Sequence, residues 1–176
     1  VRKRPTDEFQ SSISTSAGSW DNYRLDADVS GALSENIGGR VVLVEQTKNS
    51  YLDRYSVDRS VIYGVTDIKF SDDTVLTLGA SRQDNRANSP MWGALPMHYT
   101  NGVQTDYDKS ISTSSDWSFC DVTDDNVFAE LAHNFNEDWQ LTTVYRYAEM
   151  DENSELFYQF GTPDMSTEQG MFAWPG

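Results

Sequence analysis

Tyr23-Arg24-Leu25-Asp26-Ala27-Asp28-Val29-Ser30-Gly31 alternates without a break. Tyr23, Leu25, Ala27, Val29 and Gly31 fall on one side of an extended chain, and Arg24, Asp26, Asp28 and Ser30 on the other. Successive side chains of a strand point to opposite faces, so this stretch reads as a strand with one apolar and one strongly polar face. The same period of two recurs outward from it. Residues 74–81 set Leu76, Leu78 and Ala80 against Val75, Thr77, Gly79 and Ser81. Residues 127–135 set Val127, Ala129, Leu131, His133 and Phe135 against Phe128, Glu130, Ala132 and Asn134. Residues 139–147 set Trp139, Leu141, Thr143, Tyr145 and Tyr147 against Gln140, Thr142, Val144 and Arg146. Residues 9–17, 40–47 and 60–70 are less regular but rich in β-branched and aromatic side chains. The reading is all-β, with seven strands and no helix.

The connections separate into two kinds. Residues 34–38, 71–73 and 136–138 are short and have turn chemistry. Residues 18–22, 48–58, 83–126 and everything after Met150 are mostly longer. In an antiparallel sheet all the short turns fall at one end and all the longer loops at the other. That asymmetry, with one apolar face, is the pattern of an outer-membrane barrel. In hydrocarbon every backbone donor and acceptor must be paired within the protein, and a closed sheet satisfies that. Strands of about 9–11 residues suffice to cross when tilted. Trp139 beside a short turn, and Tyr145 and Tyr147 toward the other end, suit aromatic girdles at the two interfaces. A soluble sandwich or a lipocalin-like barrel alternates in the same way. The 44-residue connection over 83–126 favours the membrane reading. So do Arg24, Asp26 and Asp28, costly in an apolar core but at home on a wet lumen wall, where arginine at position 28 is expected to be cheap.

Composition narrows the function. The chain has 176 residues with 13 Lys plus Arg, 28 Asp plus Glu, two His and a single Cys. That length suggests one domain. The acid excess concentrates late: residues 84–125 hold seven acids and two bases, and residues 150–176 five acids and no base. Such stretches repel a polyanion, so nucleic acid is not an expected partner. The longest aliphatic run is Val41-Val42-Leu43-Val44, far short of a membrane helix. Cys120 alone builds neither a disulfide framework nor a cysteine zinc site. The opening residues have no signal-peptide character and no initiating Met, so the chain reads as an internal piece of something longer.

Several stretches, taken in order, resemble one family. Val1-Arg2-Lys3-Arg4-Pro5-Thr6 is similar to the end of the plug domain of TonB-dependent siderophore receptors. Gly18-Ser19-Trp20-Asp21-Asn22-Tyr23-Arg24, followed by Asp28-Val29-Ser30-Gly31, resembles the first hairpin of that family's barrel. Asp72-Asp73-Thr74-Val75-Leu76-Thr77-Leu78-Gly79 is similar to a later periplasmic turn and strand. Pro90-Met91-Trp92-Gly93-Ala94-Leu95-Pro96, with Gly102 and Trp117, looks most like the hydroxamate branch, the receptors of ferric coprogen and rhodotorulic acid. The resemblance implies an outer-membrane barrel of 22 strands in a Gram-negative bacterium. It implies import of a ferric siderophore with energy from TonB, through a TonB box expected outside this chain. Residues 1–6 would then end the plug and residues 7–176 begin the barrel. No intrinsic cofactor is implied, since iron travels inside the siderophore complex. Outer-membrane lipid is the other implied partner.

Met91, Trp92, Met97, His98 and Tyr99 cluster in the long connection. With the resemblance, they form the expected siderophore-facing patch, because a compact ferric complex with an apolar rim suits aromatic faces and a few donors. Trp117 and Phe119 read as loop anchors, and Trp117 is kept beside the patch. Phe157, Tyr158 and Phe160 form a second aromatic set. The same residues also read as packing of the loop against the wall. His98 and His133 stand too far apart for a metal site, and His133 falls on the apolar side near a short turn, as an interfacial residue. Asp121-Val122-Thr123-Asp124-Asp125-Asn126 lacks the glycine and final Glu of a calcium loop. Asp26 and Asp28 have no companion base or nucleophile, so no enzyme is expected. The other readings are a soluble all-β small-ligand module and a structural outer-membrane barrel.

Overall fold

The computed structural model describes residues 2–176, so Val1, the first residue of the expected plug end, lies outside the described residues. Seven strands form one antiparallel sheet in sequence order: β1 (Gln10–Gly18), β2 (Asn22–Ser34), β3 (Ile37–Asn49), β4 (Ser56–Ser71), β5 (Thr74–Asn88), β6 (Phe119–Asn134) and β7 (Gln140–Glu155). β8 (Phe157–Gly161) and β9 (Met171–Pro175) form a separate hairpin. All seven expected strands are present and most are longer than expected. β5 runs on to Asn88 and β6 starts at Phe119, so the connection of residues 83–126 shrinks to residues 89–118. The acidic run at 121–126 is therefore strand, with Asp121, Thr123 and Asp125 on one face and Asp124 and Asn126 on the other. The β8–β9 hairpin, not expected from the sequence, occupies the stretch read as an open loop.

The register fixes the two faces. Ala27 pairs with Leu43, which pairs with Ile62. One residue along, Asp28 pairs with Val42, which pairs with Tyr63. On the first face Ile13, Leu25, Val29, Val41, Ile62, Leu78, Val127 and Tyr145 are all about 40% exposed or more. Only Val44, Val65, Ala87 and Phe128 are buried among the hydrophobic residues described. A sheet normally buries an apolar face against a second layer. None covers this face among the described residues. A band of hydrocarbon lipid would be that layer.

The band's height agrees. Along β6 it runs from the Phe135 end to Val127, where Asp125 replaces it. That is roughly 27 Å of strand at about 3.3 Å per residue, or about 20 Å once tilted by about 40°, close to the roughly 25 Å of an outer-membrane apolar band. Above it the same face turns acidic, with Glu45, Asp58, Asp84, Asp121, Asp125, Glu149 and Asp151 around Arg82 and Arg86. At the short-turn end Leu33, Phe70, Phe135 and Trp139 are 64–74% exposed. His133 is on this face beside them, bonded to Thr74 at 2.8 Å and edge-on to Phe135. The three residues between β1 and β2 turn tightly, with Trp20 and Asp21 both at positive φ and Trp20 edge-on to Tyr51.

Candidate ligand-binding site at the loop end

The loop of residues 89–118 and the β8–β9 hairpin pack into one unit. Trp92 meets Tyr158 edge to face, with ring centroids 5.5 Å apart, and Trp117 meets Phe157 in the same way at 5.7 Å. Offset and edge-on pairs of this kind add about 0.5–1.5 kcal/mol beyond burial. Behind Trp92 the chain runs so close to the hairpin that a Cβ on Gly93 would lie 2.7 Å from both the nitrogen and the oxygen of Gln159. At the tip the Thr100 amide donates to the Pro163 carbonyl at 3.0 Å, and the Thr100 hydroxyl to Asp164 at 3.1 Å. The Asp164 carboxylate also accepts from the hydroxyl and amide of Ser166 and the amide of Thr167. These donors, the Ser166 hydroxyl foremost, hold its pKa well below the usual carboxylate range. The turn they organise is therefore intact above the ordinary carboxylate pKa and loosens only as pH falls through the lowered one.

One face of the hairpin is an aromatic ladder. Tyr158 pairs with Trp174, and Phe160 with Phe172. Phe160 stacks on Tyr158 at 5.9 Å and on Phe172 at 5.7 Å, and the four rings remain 40–67% exposed. The opposite end of the long loop is tied to residues 50–55. The Asp53 amide donates to the Ser110 carbonyl at 2.7 Å, and Arg54 donates to the carbonyls of Ser112 and Ser114. The loops thus form a continuous rim from Trp20 to the hairpin.

From the expected set the structure joins Trp92 to Tyr158 on the ladder face of the hairpin, with Met91 next in the chain, and Trp117 to Phe157 on its other face. Met97, His98 and Tyr99 lie away from the Trp92–Tyr158 pair, on a finger of the same loop closed by backbone bonds from Tyr99 to Val103 and from Thr105 to Met97, whose tip reaches the β8–β9 connection through Thr100. Phe172 and Trp174 belong to the same aromatic surface and were not singled out in the sequence, although Phe172-Ala173-Trp174 repeats the period of two. Gly93→Val should force the loop off the hairpin, because the added Cβ meets backbone that cannot swing aside. The expected result is rapid proteolysis within residues 89–118 at normal barrel assembly; wild-type resistance would contradict the packing.

A second cluster lies on the polar face near the short-turn end. Arg4 binds Asp67 and Glu130 and donates to Thr77. Lys3 binds Asp28 at 2.6 Å, and Arg40 reaches Asp28 at 2.9 and 2.6 Å and the Arg4 carbonyl at 3.0 Å. Tyr63 donates to the Lys3 carbonyl, and Arg2 lies 4.0 Å over the Phe128 ring. Three bases and three carboxylates interlock here, so the segment before β1 is pinned to the wall. The Arg4 side chain is 39% exposed, which limits each pair to well under 1 kcal/mol. Arg4→Ala should weaken docking of residues 2–6 by about 1 kcal/mol in total, seen as faster hydrogen exchange confined to that segment.

No family model matches the chain. The ferripyoverdine receptor of Pseudomonas aeruginosa is 41% identical over 142 residues, which are 79% of this chain and 17% of that protein. A ferric-pyoverdine 358 receptor of Pseudomonas putida is 36% identical over 168 residues, 94% of this chain and 20% of that protein. The crystal structure of the P. aeruginosa outer-membrane ferripyoverdine receptor bound to ferripyoverdine superposes with a TM-score of 0.92 at 34% identity, over 99% of this chain and 24% of that one. The sheet is a part of an outer-membrane barrel wall. Its uncovered apolar face is the one suited to lipid, and its charged face the one suited to a wet lumen. The chain is homologous to one portion of siderophore receptors, and it spans about a fifth of the length of these curated relatives. The E. coli ferric-catecholate import receptor shares the fold, with a TM-score of 0.86 at 14% identity. These homologues are transport receptors, not enzymes.

Proposed function

We propose that the protein containing this chain binds a ferric siderophore at its extracellular rim and imports it with energy from TonB. The observation that supports this most is the joined loop and hairpin, which carry Trp92, Tyr158 and the exposed ladder at the long-loop end of the sheet. Residues 1–6 end the plug, with Lys3 and Arg4 bonded to the wall, and the barrel begins after them. The ligand-facing residues are Trp92 and Met91 first, then Tyr158, Phe157 and Trp117, with Met97, His98 and Tyr99 on the neighbouring finger.

The siderophore is of the ferripyoverdine class. Relatives named for pyoverdine at 36–41% identity weigh more than the short Pro90–Pro96 stretch that suggested ferric coprogen. The test is binding of ferripyoverdine and ferric coprogen to the full-length receptor in detergent. Tighter binding of ferripyoverdine is expected. Preference for coprogen restores the hydroxamate assignment, and binding of neither removes the siderophore reading.

A further inference from the structure

The lipid-facing surface is not flat. A groove of about 740 Å³ runs up it between Phe9, Leu33, Val41, Leu78, Val127 and Tyr145. A second hollow, about 410 Å³, shares Val41, Gly64, Ala80 and Val127 with the first and ends at Arg82 and Asp125. The floor is low because Gly39, Gly64 and Ala80 stand where neighbouring positions have Val41, Ile62 and Leu78. The walls are almost wholly apolar until the upper end, where the first charges appear. There Arg82 is 54% exposed and bridges Asp84 at 3.2 Å and Asp125 at 3.3 Å. Arg82 lies just above the apolar band, on the side of the long loops, at the depth of the outer-leaflet headgroups.

We infer that this groove is a binding site for one phosphorylated glycolipid of the outer leaflet. An acyl chain lies along Gly64 and Ala80, and a headgroup phosphate accepts from Arg82. The order of its lining suits such a molecule: an apolar trough for a chain, then a single guanidinium at its mouth. The charge balance also selects the lipid. Asp84 and Asp125 outweigh Arg82, so a bare anion is repelled, whereas a phosphate arriving with its divalent counter-ions leaves the metal facing the two carboxylates. Another hollow on this face, around Thr15, Tyr23, Leu25 and Asp58, has Glu45 and Asp58 in its lining and lacks the long apolar floor, and Ala27 and Leu43 line neither groove. This assignment rests on the barrel wall alone and is independent of the siderophore.

Gly64 provides the test. A Cβ there meets nothing within 4 Å, so a larger side chain fills the groove without disturbing the sheet. The full-length receptor is purified from outer membranes in mild detergent, and bound glycolipid is counted per receptor by mass spectrometry. Gly64→Leu should lower retained glycolipid at least about tenfold, equivalent to about 1.4 kcal/mol. Arg82→Gln, and chelation of divalent cations, should each lower it severalfold. Ala27→Leu, on the band but outside the groove, should change nothing. Siderophore binding and heat-modifiable gel mobility report that each variant is folded, and Ala80→Leu replaces Gly64→Leu if that one is not. Undiminished glycolipid in a folded groove-filled variant overturns the site. So does equal occupancy by a zwitterionic phospholipid, or an equal loss in Ala27→Leu.

Discussion

Ala27→Arg should cost the assembled barrel about 2–4 kcal/mol, while Ser14→Arg should cost under about 1 kcal/mol. On β2 the apolar band runs from Tyr23 to Leu33, which puts Ala27 near the middle of the membrane. There a guanidinium has no water, no counter-charge and a long way to snorkel. Ser14 is on the neighbouring strand and pairs with Asp26, on the lumen face. Its arginine would stand in water beside carboxylates. The obvious control, Asp28→Arg, looks cheap from the sequence and is not. Asp28 is the shared acceptor of Arg40 and Lys3, so the change would set three cations against one another on a wall that now pins the chain. The measurement is reversible unfolding of the full-length receptor in lipid vesicles. Equal stability of Ala27→Arg and Ser14→Arg would reverse the assignment of faces.

The strand order and the two faces were legible because period-two alternation is a local property of residues 23–31, 74–81, 127–135 and 139–147. The strand ends were not. Residues 83–88, 119–126 and 148–155 are polar on both faces with a few scattered apolar residues, as expected of strand ends that stand above an apolar band with water on both sides. Gln83 opposite Asp124 and Arg86 opposite Asp121 have no hydropathy signal to read. The same effect concealed where the acid goes. Net charge by segment suggested acidic loops, whereas seven carboxylates stand on the outward face above the band. At the rim, Trp92 was legible as an unusual residue in a long connection. Its partner was not, since nothing local in residues 150–176 announces that Tyr158 folds back onto it. The interlock of Lys3, Arg4 and Arg40 with Asp28, Asp67 and Glu130 spans up to 126 residues of sequence. It has no spacing signature at all.

Trp92→Ala should weaken siderophore binding about thirtyfold, or about 2 kcal/mol, at unchanged surface abundance. A tryptophan offers a large rigid face with few rotamers to lose, and this one remains 48% exposed although an edge of it rests on Tyr158. The exposed part is what a ligand would cover. The resting edge complicates the expectation, because removing the ring also removes a tie between loop and hairpin. Two variants separate the contributions. Gly93→Val breaks the tie and keeps the ring, so a purely scaffolding Trp92 predicts that Gly93→Val loses as much affinity as Trp92→Ala. Trp92→Phe keeps an aromatic edge for Tyr158 and gives up ring area. A direct contact therefore predicts an intermediate loss, about threefold to tenfold, with proteolysis of residues 89–118 no faster than in wild type. If Trp92→Phe binds as wild type while Gly93→Val fails, Trp92 is a strut. The ligand surface then moves to the face it supports, the exposed rings of Phe160, Phe172 and Trp174. These rings stand on a hairpin whose position depends on that strut, so even this outcome makes residues 89–118 decisive for recognition.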